Sequence, residues 1–79
     1  MKTAAMVKAG RELAGWSQAE LAEKAGLSVP TIQRMENSQF GPLRSSGANL
    51  EKLRAAFAAG GVTFVSSDGR DCVCLDRGA

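Results

Sequence analysis

No histidine occurs among the 79 residues, tyrosine is also missing, and there are only two cysteines. Histidine is the commonest general base and the commonest metal ligand, so its absence argues against acid–base catalysis and zinc chemistry. No nucleophile–base pair or metal-ligand cluster is visible either, and neither an enzyme nor a cofactor is expected. No run approaches the roughly 20 consecutive apolar residues that a membrane span needs. The N-terminal apolar stretch is cut by Lys8, Gly10, Arg11 and Glu12, which does not fit a secretory signal. With no export signal, two closely spaced cysteines point to a reducing, cytoplasmic setting.

What is present fits one small domain. A chain this short buries a smaller share of its surface than a long one, so a second copy would help its stability. The net charge of +2 says little alone, but its distribution says more. Residues 1–66 hold eight Lys/Arg against five Asp/Glu, whereas residues 67–79 hold two against three. The basic excess therefore falls on the part that reads as helical.

Local signals divide the chain into four helices and a hairpin. Thr3 to Gly15 reads as a helix with Thr3 as N-cap and Gly15 as stop. Its apolar stripe is expected to comprise Val7, Gly10/Arg11 and Ala14, flanked by Met6 and Leu13. Ser17-Gln18-Ala19-Glu20 is a capping box that opens a second helix over Gln18 to Ala25, with Leu21, Ala22 and Ala25 inward. Gly26 ends it, since the position after a helix often takes positive φ. Ser28 caps a third helix, Pro30 lies in its first turn, Ile32 and Met35 face inward and Asn37 is the expected stop. Residues 38–45 contain Gly41 and Pro42 and read as a loop. A fourth helix starts near Ser46 and ends at Gly60-Gly61, with Leu50, Leu53 and Phe57 inward. The period then changes to that of strands at Val62–Val65 and Cys72–Leu75, joined across an Asp68-Gly69 turn.

The stretch from Gln18 to Met35 is the most specific feature. Two short helices crossing over a glycine turn need a small residue at the crossing (Ala22), a turn former (Gly26) and an apolar wedge (Ile32). Leu21, Ala25, Leu27 and Met35 supply the other inward positions. The pattern Trp16-Ser17-Gln18-Ala19-Glu20-Leu21-Ala22-Glu23-Lys24-Ala25-Gly26-Leu27-Ser28, followed by Ile32 and Glu36-Asn37, resembles the Cro/CI-like (XRE) family of helix-turn-helix regulators over residues 3–59. A plain αα-hairpin would have no need of Gln18 at the start of its first helix.

The resemblance implies binding to double-stranded DNA. Gln18 would anchor a phosphate, aided by the helix N-terminus. The third helix would enter the major groove and present Ser28, Val29, Pro30, Thr31, Gln33 and Arg34. Arg34 suits a bidentate contact to guanine, or else a phosphate. Gln33 would pair with adenine or sit near the backbone, and Thr31 would reach a phosphate or a base edge. Val29 and Pro30 depart from the polar pair common at these positions and offer only contact with thymine methyl groups. For Pro30 the alternative is a helix-starting role alone. DNA shape would then carry part of the specificity. Arg44 is the chosen phosphate contact ahead of the fourth helix, with Ser45, Ser46 and Asn49 near it. The family pattern also implies an ion pair between Arg11 and Glu36 that braces the recognition helix. Trp16 is expected as a core anchor, and Lys8, Lys52 and Arg54 as solvated.

Cys72 and Cys74 share one face of a strand and cannot readily join each other. A redox or metal role competes with that of small buried hydrophobes at a sheet or subunit contact, and the latter is expected, with no metal. The expected architecture is mainly α: a phage-repressor-like helix-turn-helix bundle of four helices with a C-terminal β-hairpin. Residues 1–59 would form the DNA-binding part. Residues 60–79 would pack on the same domain and serve dimerisation, through residues 61–76. Such a dimer on an inverted-repeat operator would repress by exclusion or activate by touching RNA polymerase. The rival reading is a protein-interaction module on the same scaffold, an antitoxin or an anti-regulator.

Overall fold

The structure is a computed structural model and describes residues 1–78. Four helices come first: α1 (Ala4–Ala14), α2 (Gln18–Ala25), α3 (Val29–Met35) and α4 (Gly47–Ala59). Strands β1 (Val62–Ser67) and β2 (Arg70–Leu75) follow. Each helix begins where a hydroxyl meets an orphan backbone donor. Thr3, Ser17, Ser28 and Ser46 accept from the N–H groups of Met6, Glu20, Thr31 and Asn49. Caps of this kind contribute about 1 kcal/mol each. The Glu20 carboxylate returns the favour to the Ser17 N–H at 3.0 Å. That backbone hydrogen bond, with the one to the Ser17 side chain, holds its carboxyl below the ordinary glutamate value.

The helix ends are equally local. Gly15 and Gly26 take positive φ of 76° and 67°, and each closes the last turn. The N–H groups of Trp16 and Leu27 then donate to Arg11 and Ala22 carbonyls, completing Schellman motifs. α3 ends one residue earlier than expected, at Glu36 rather than Asn37. The segment expected as plain loop contains a 3₁₀ turn, Pro42–Arg44, with Pro42 buried.

Val7, Leu21, Ile32, Met35, Leu53 and Phe57 are fully buried and form the centre, together with Val62 at the root of β1. The hairpin pairs Val62 with Leu75 through Ser67 with Arg70. Asp68 and Gly69 both have positive φ, 52° and 74°, as a two-residue turn of the primed type requires. Alternation along the strands sends Val62, Phe64, Val73 and Leu75 towards the helices and leaves Thr63, Val65, Cys72 and Cys74 outward. Phe64 meets Phe57 edge-on at 5.2 Å between ring centroids. It also lies over Gly10, where an added Cβ would come within 2.8 Å of the ring. Glycine in mid-helix is unfavourable locally, yet here it lets the hairpin close onto α1.

Three expectations about burial are corrected. Leu13 is 42% exposed, because the hairpin covers α1 along Val7 and Gly10 and passes Leu13 by. Leu50 is only half-buried, on the wall of a groove beside β1. Both cysteines are exposed on the outward face of the hairpin and not buried within its own sheet, because the larger Val73 and Leu75 occupy the inward face. Arg54 is exposed as expected but paired with Glu51. No helix among the described residues is long and apolar enough to cross a membrane.

Trp16 fixes the junction of α1 and α2 against the end of α4. Its ring stacks on Phe57 at 6.1 Å, and Lys24 Nζ sits 5.1 Å from its centroid. A Cβ on Gly60 would overlap the indole at Cζ2 and Cη2. We therefore expect Gly60→Ala to destabilise the protein by about 1–3 kcal/mol through overpacking. Trp16 is the only tryptophan, so its emission should shift to the red as the ring is displaced. An unchanged spectrum with unchanged stability would show that the added methyl does not press on the ring.

Candidate nucleic-acid interface

α3 is a seven-residue helix with one buried side and one open side. Ile32 and Met35 are sealed into the core, while Ser28, Pro30, Gln33 and Arg34 are exposed. Val29 and Thr31 are half-buried, and Val29 packs against the core. The Ser28 and Thr31 hydroxyls lie 2.8 Å apart and bond to each other, in addition to the cap that Ser28 supplies. The outer surface of α3 is thus an accessible ridge whose free long side chains are Gln33 and Arg34.

The ridge is held from behind by charge. Arg11 on α1 reaches Glu36 at the end of α3 through two parallel N–H donors, Nε to Oε2 at 2.7 Å and Nη2 to Oε1 at 3.0 Å. Its Nη1 donates to the Trp16 carbonyl at 3.0 Å. Side-chain exposure is 13% for Arg11 and 5% for Glu36, so the pair is almost withdrawn from water. The hydrogen bond to Glu36 raises the guanidinium above its ordinary value and outweighs desolvation. Bidentate geometry fixes direction as well as distance, so α3 cannot rotate without breaking it.

Gln18 is the residue whose surroundings the sequence did not disclose. Its amide nitrogen donates to Glu36 Oε1 at 3.3 Å, which joins α2, α1 and α3 in one network. An amide nitrogen has two hydrogens, and the second is left for an outside acceptor. The glutamine stands at the first position of α2, beside that helix's free N–H groups.

The structure brings Arg34 and Arg44 to one notch of about 360 Å³ between α3 and the start of α4. Thr31, Phe40, Ser45 and Asn49 complete its walls. Neither arginine has an acidic partner among the described residues, whose ion pairs are Arg11–Glu36 and Glu51–Arg54. Two unpaired guanidinium groups beside a helix N-terminus attract an anionic backbone. Phe40 was not singled out from sequence. The nearest signal was Gly41-Pro42, since Gly41 takes φ of 71° and turns the chain back into the notch.

A family model described as helix-turn-helix matches residues 7–63, which spans α1 to the start of β1. No curated protein matches the chain.

Proposed function

This chain belongs to the Cro/CI-like (XRE) helix-turn-helix family of DNA-binding regulators, and on that premise we propose that it reads an inverted-repeat operator as a homodimer. The observation that supports this reading best is the open ridge of α3, with Arg34 free at its surface and its back clamped by Arg11 and Glu36. In this reading Arg34 contacts guanine O6 and N7, and Gln33 a neighbouring base or the backbone. Gln18 and Arg44 flank the ridge and hold phosphates, which set register without reading sequence. Val29 and Pro30 offer only apolar contact with thymine methyl groups, and the bonded pair of Ser28 and Thr31 hydroxyls keeps one free hydrogen and spare lone pairs.

The second copy joins through residues 61–76. In a two-stranded sheet each strand keeps one unpaired edge, which invites backbone pairing with another copy. Along β1 that edge borders a groove lined by Met1, Leu43, Leu50 and Ala58. The molecule measures 31 × 28 × 19 Å, so two copies side by side can set their α3 helices about 34 Å apart, one turn of DNA. Held over a promoter, such a dimer represses by excluding RNA polymerase or activates by touching it.

Selection of binding sites from random duplexes tests symmetry and sequence preference together. On the selected site Arg34→Ala should cost roughly 1–3 kcal/mol and relax choice at one base pair, whereas Gln18→Ala should weaken all sequences alike. Equal loss on every duplex for Arg34→Ala would reassign it to phosphate. DNA affinity should also fall steeply with salt as counterions are released. Salt-independent binding to a protein, with none to DNA, would favour the antitoxin or anti-regulator reading instead.

A further inference from the structure

Cys72 and Cys74 lie on the hairpin proposed to join two copies, on a face that edge-to-edge strand pairing leaves open. Both are free and exposed, they are the only cysteines, and they occupy alternate positions of β2 on its outward face. Their cross-strand partners are Val65 and Thr63. Val73 between them is drawn inward against the core, and so is Leu75 beyond. The strand therefore holds the two thiols at a fixed spacing, side by side, on a surface open to solvent.

That spacing rules out one chemistry and suits another. Alternate residues of a strand lie about 6.6 Å apart along the chain, and their side chains project in parallel. A disulfide needs Cβ atoms roughly 3.5–4.5 Å apart, so the pair cannot close on itself without breaking the strand. Two sulfurs sharing one ion at a zinc-like distance of about 2.3 Å lie at most about 4.6 Å apart. Staggered side-chain rotamers that lean the sulfurs together reach that span and stop short of a bond. No group of three or more His, Cys, Asp and Glu gathers among the described residues, so one chain alone does not supply a tetrahedral zinc site. Two thiolates alone match a soft ion that accepts low coordination.

We propose that Cys72 and Cys74 form a surface clamp for one monovalent copper ion per chain. Two thiolates and one such ion carry a net negative charge. Arg70, two residues before Cys72 on the same face of the strand, lies where it offsets that charge. The clamp is on the hairpin and away from α3, so it stands whether or not the ridge reads DNA.

The test is an anaerobic titration of the reduced full chain with Cu(I) against a colorimetric chelator. The expected result is one ion per chain, with near-ultraviolet thiolate-to-metal absorption and a matching mass by native mass spectrometry. Cys72→Ser and Cys74→Ser should each abolish one-to-one binding and leave the far-ultraviolet circular dichroism unchanged, since neither side chain supports the core. In the unaltered chain, bound Cu(I) should slow alkylation of both thiols together. Three results would overturn the clamp: full stoichiometry in either single variant, one ion per two chains, or protection of one thiol alone. Zn(II) competing on equal terms would overturn the assignment to a soft, low-coordinate ion.

Discussion

Glu36→Ala should remove up to about 3–5 kcal/mol of stability, the upper end applying to complete burial, because it leaves the largely covered Arg11 guanidinium without its carboxylate. A domain of this size has only about 4–12 kcal/mol in total, at roughly 0.05–0.15 kcal/mol per residue. At about 4–8 °C per kcal/mol, the variant should melt more than about 10 °C lower. The cost is the burial of a stranded charge and not the intrinsic strength of the pair. Arg11 would keep only the Trp16 carbonyl, and a guanidinium cannot shed its proton to escape. In Arg11→Met the Glu36 carboxylate retains the Gln18 amide, and the methionine still fills the space of the arginine stem. Arg11→Met should therefore be the milder of the two changes. Melting within about 2 °C of the unaltered chain for Glu36→Ala would mean that water reaches both groups. DNA binding offers a second reading of the same contact. Glu36→Gln keeps the shape and one acceptor, so it should fold at moderate temperature yet hold α3 and Gln18 less firmly. Its loss of affinity should fall on all duplexes alike.

The helices were legible in advance because their boundaries are local. A serine or threonine three residues before an N–H group, and a glycine that can adopt positive φ, suffice to start and stop a helix. The Asp68-Gly69 turn is of the same kind. Burial was less legible because it depends on which element arrives from elsewhere. The stripe on α1 was read to include Leu13, but the hairpin docks where Gly10 leaves room for Phe64. Cys-Val-Cys-Leu is apolar on both faces, so period-2 alternation paired the residues correctly without saying which pair turns inward. The site divides in the same way. The ridge of α3 followed from the spacing of Gly26, Ile32 and Met35, whereas the bond from Gln18 to Glu36 crosses 18 residues and has no local signature. Phe40 escaped for the same reason, since its place in the notch depends on the backbone turn at Gly41.

Phe57→Ala should be the most damaging change in the apolar core, again about 3–5 kcal/mol, since the cavity cannot collapse from any side. Phe57 is fully buried and touches three otherwise separate parts. Trp16 stacks on one face of its ring with 16° between planes, Phe64 meets it at 73°, and its Cε1 lies close above Gly10. None of these neighbours can move in freely: Trp16 is boxed by Gly60, Phe64 belongs to a paired strand, and Gly10 has no side chain. The damage should also be unevenly spread. α2 and α3 keep Leu21, Ala22, Ala25, Ile32 and Met35 among themselves, together with the Arg11–Glu36 clamp. The hairpin has Phe64 on Phe57 as its main aromatic hold on the helices. Amide exchange in Phe57→Ala should therefore accelerate first in residues 62–75, with Trp16 emission shifting to the red. α2 and α3 should stay protected until global unfolding. A dimer joined through the hairpin, as proposed, should dissociate at concentrations where α3 is still folded, and DNA affinity should fall further than the loss of stability accounts for. Uniform acceleration across the whole chain would instead mean that hairpin and helices unfold as one cooperative unit, with Phe57 serving both equally.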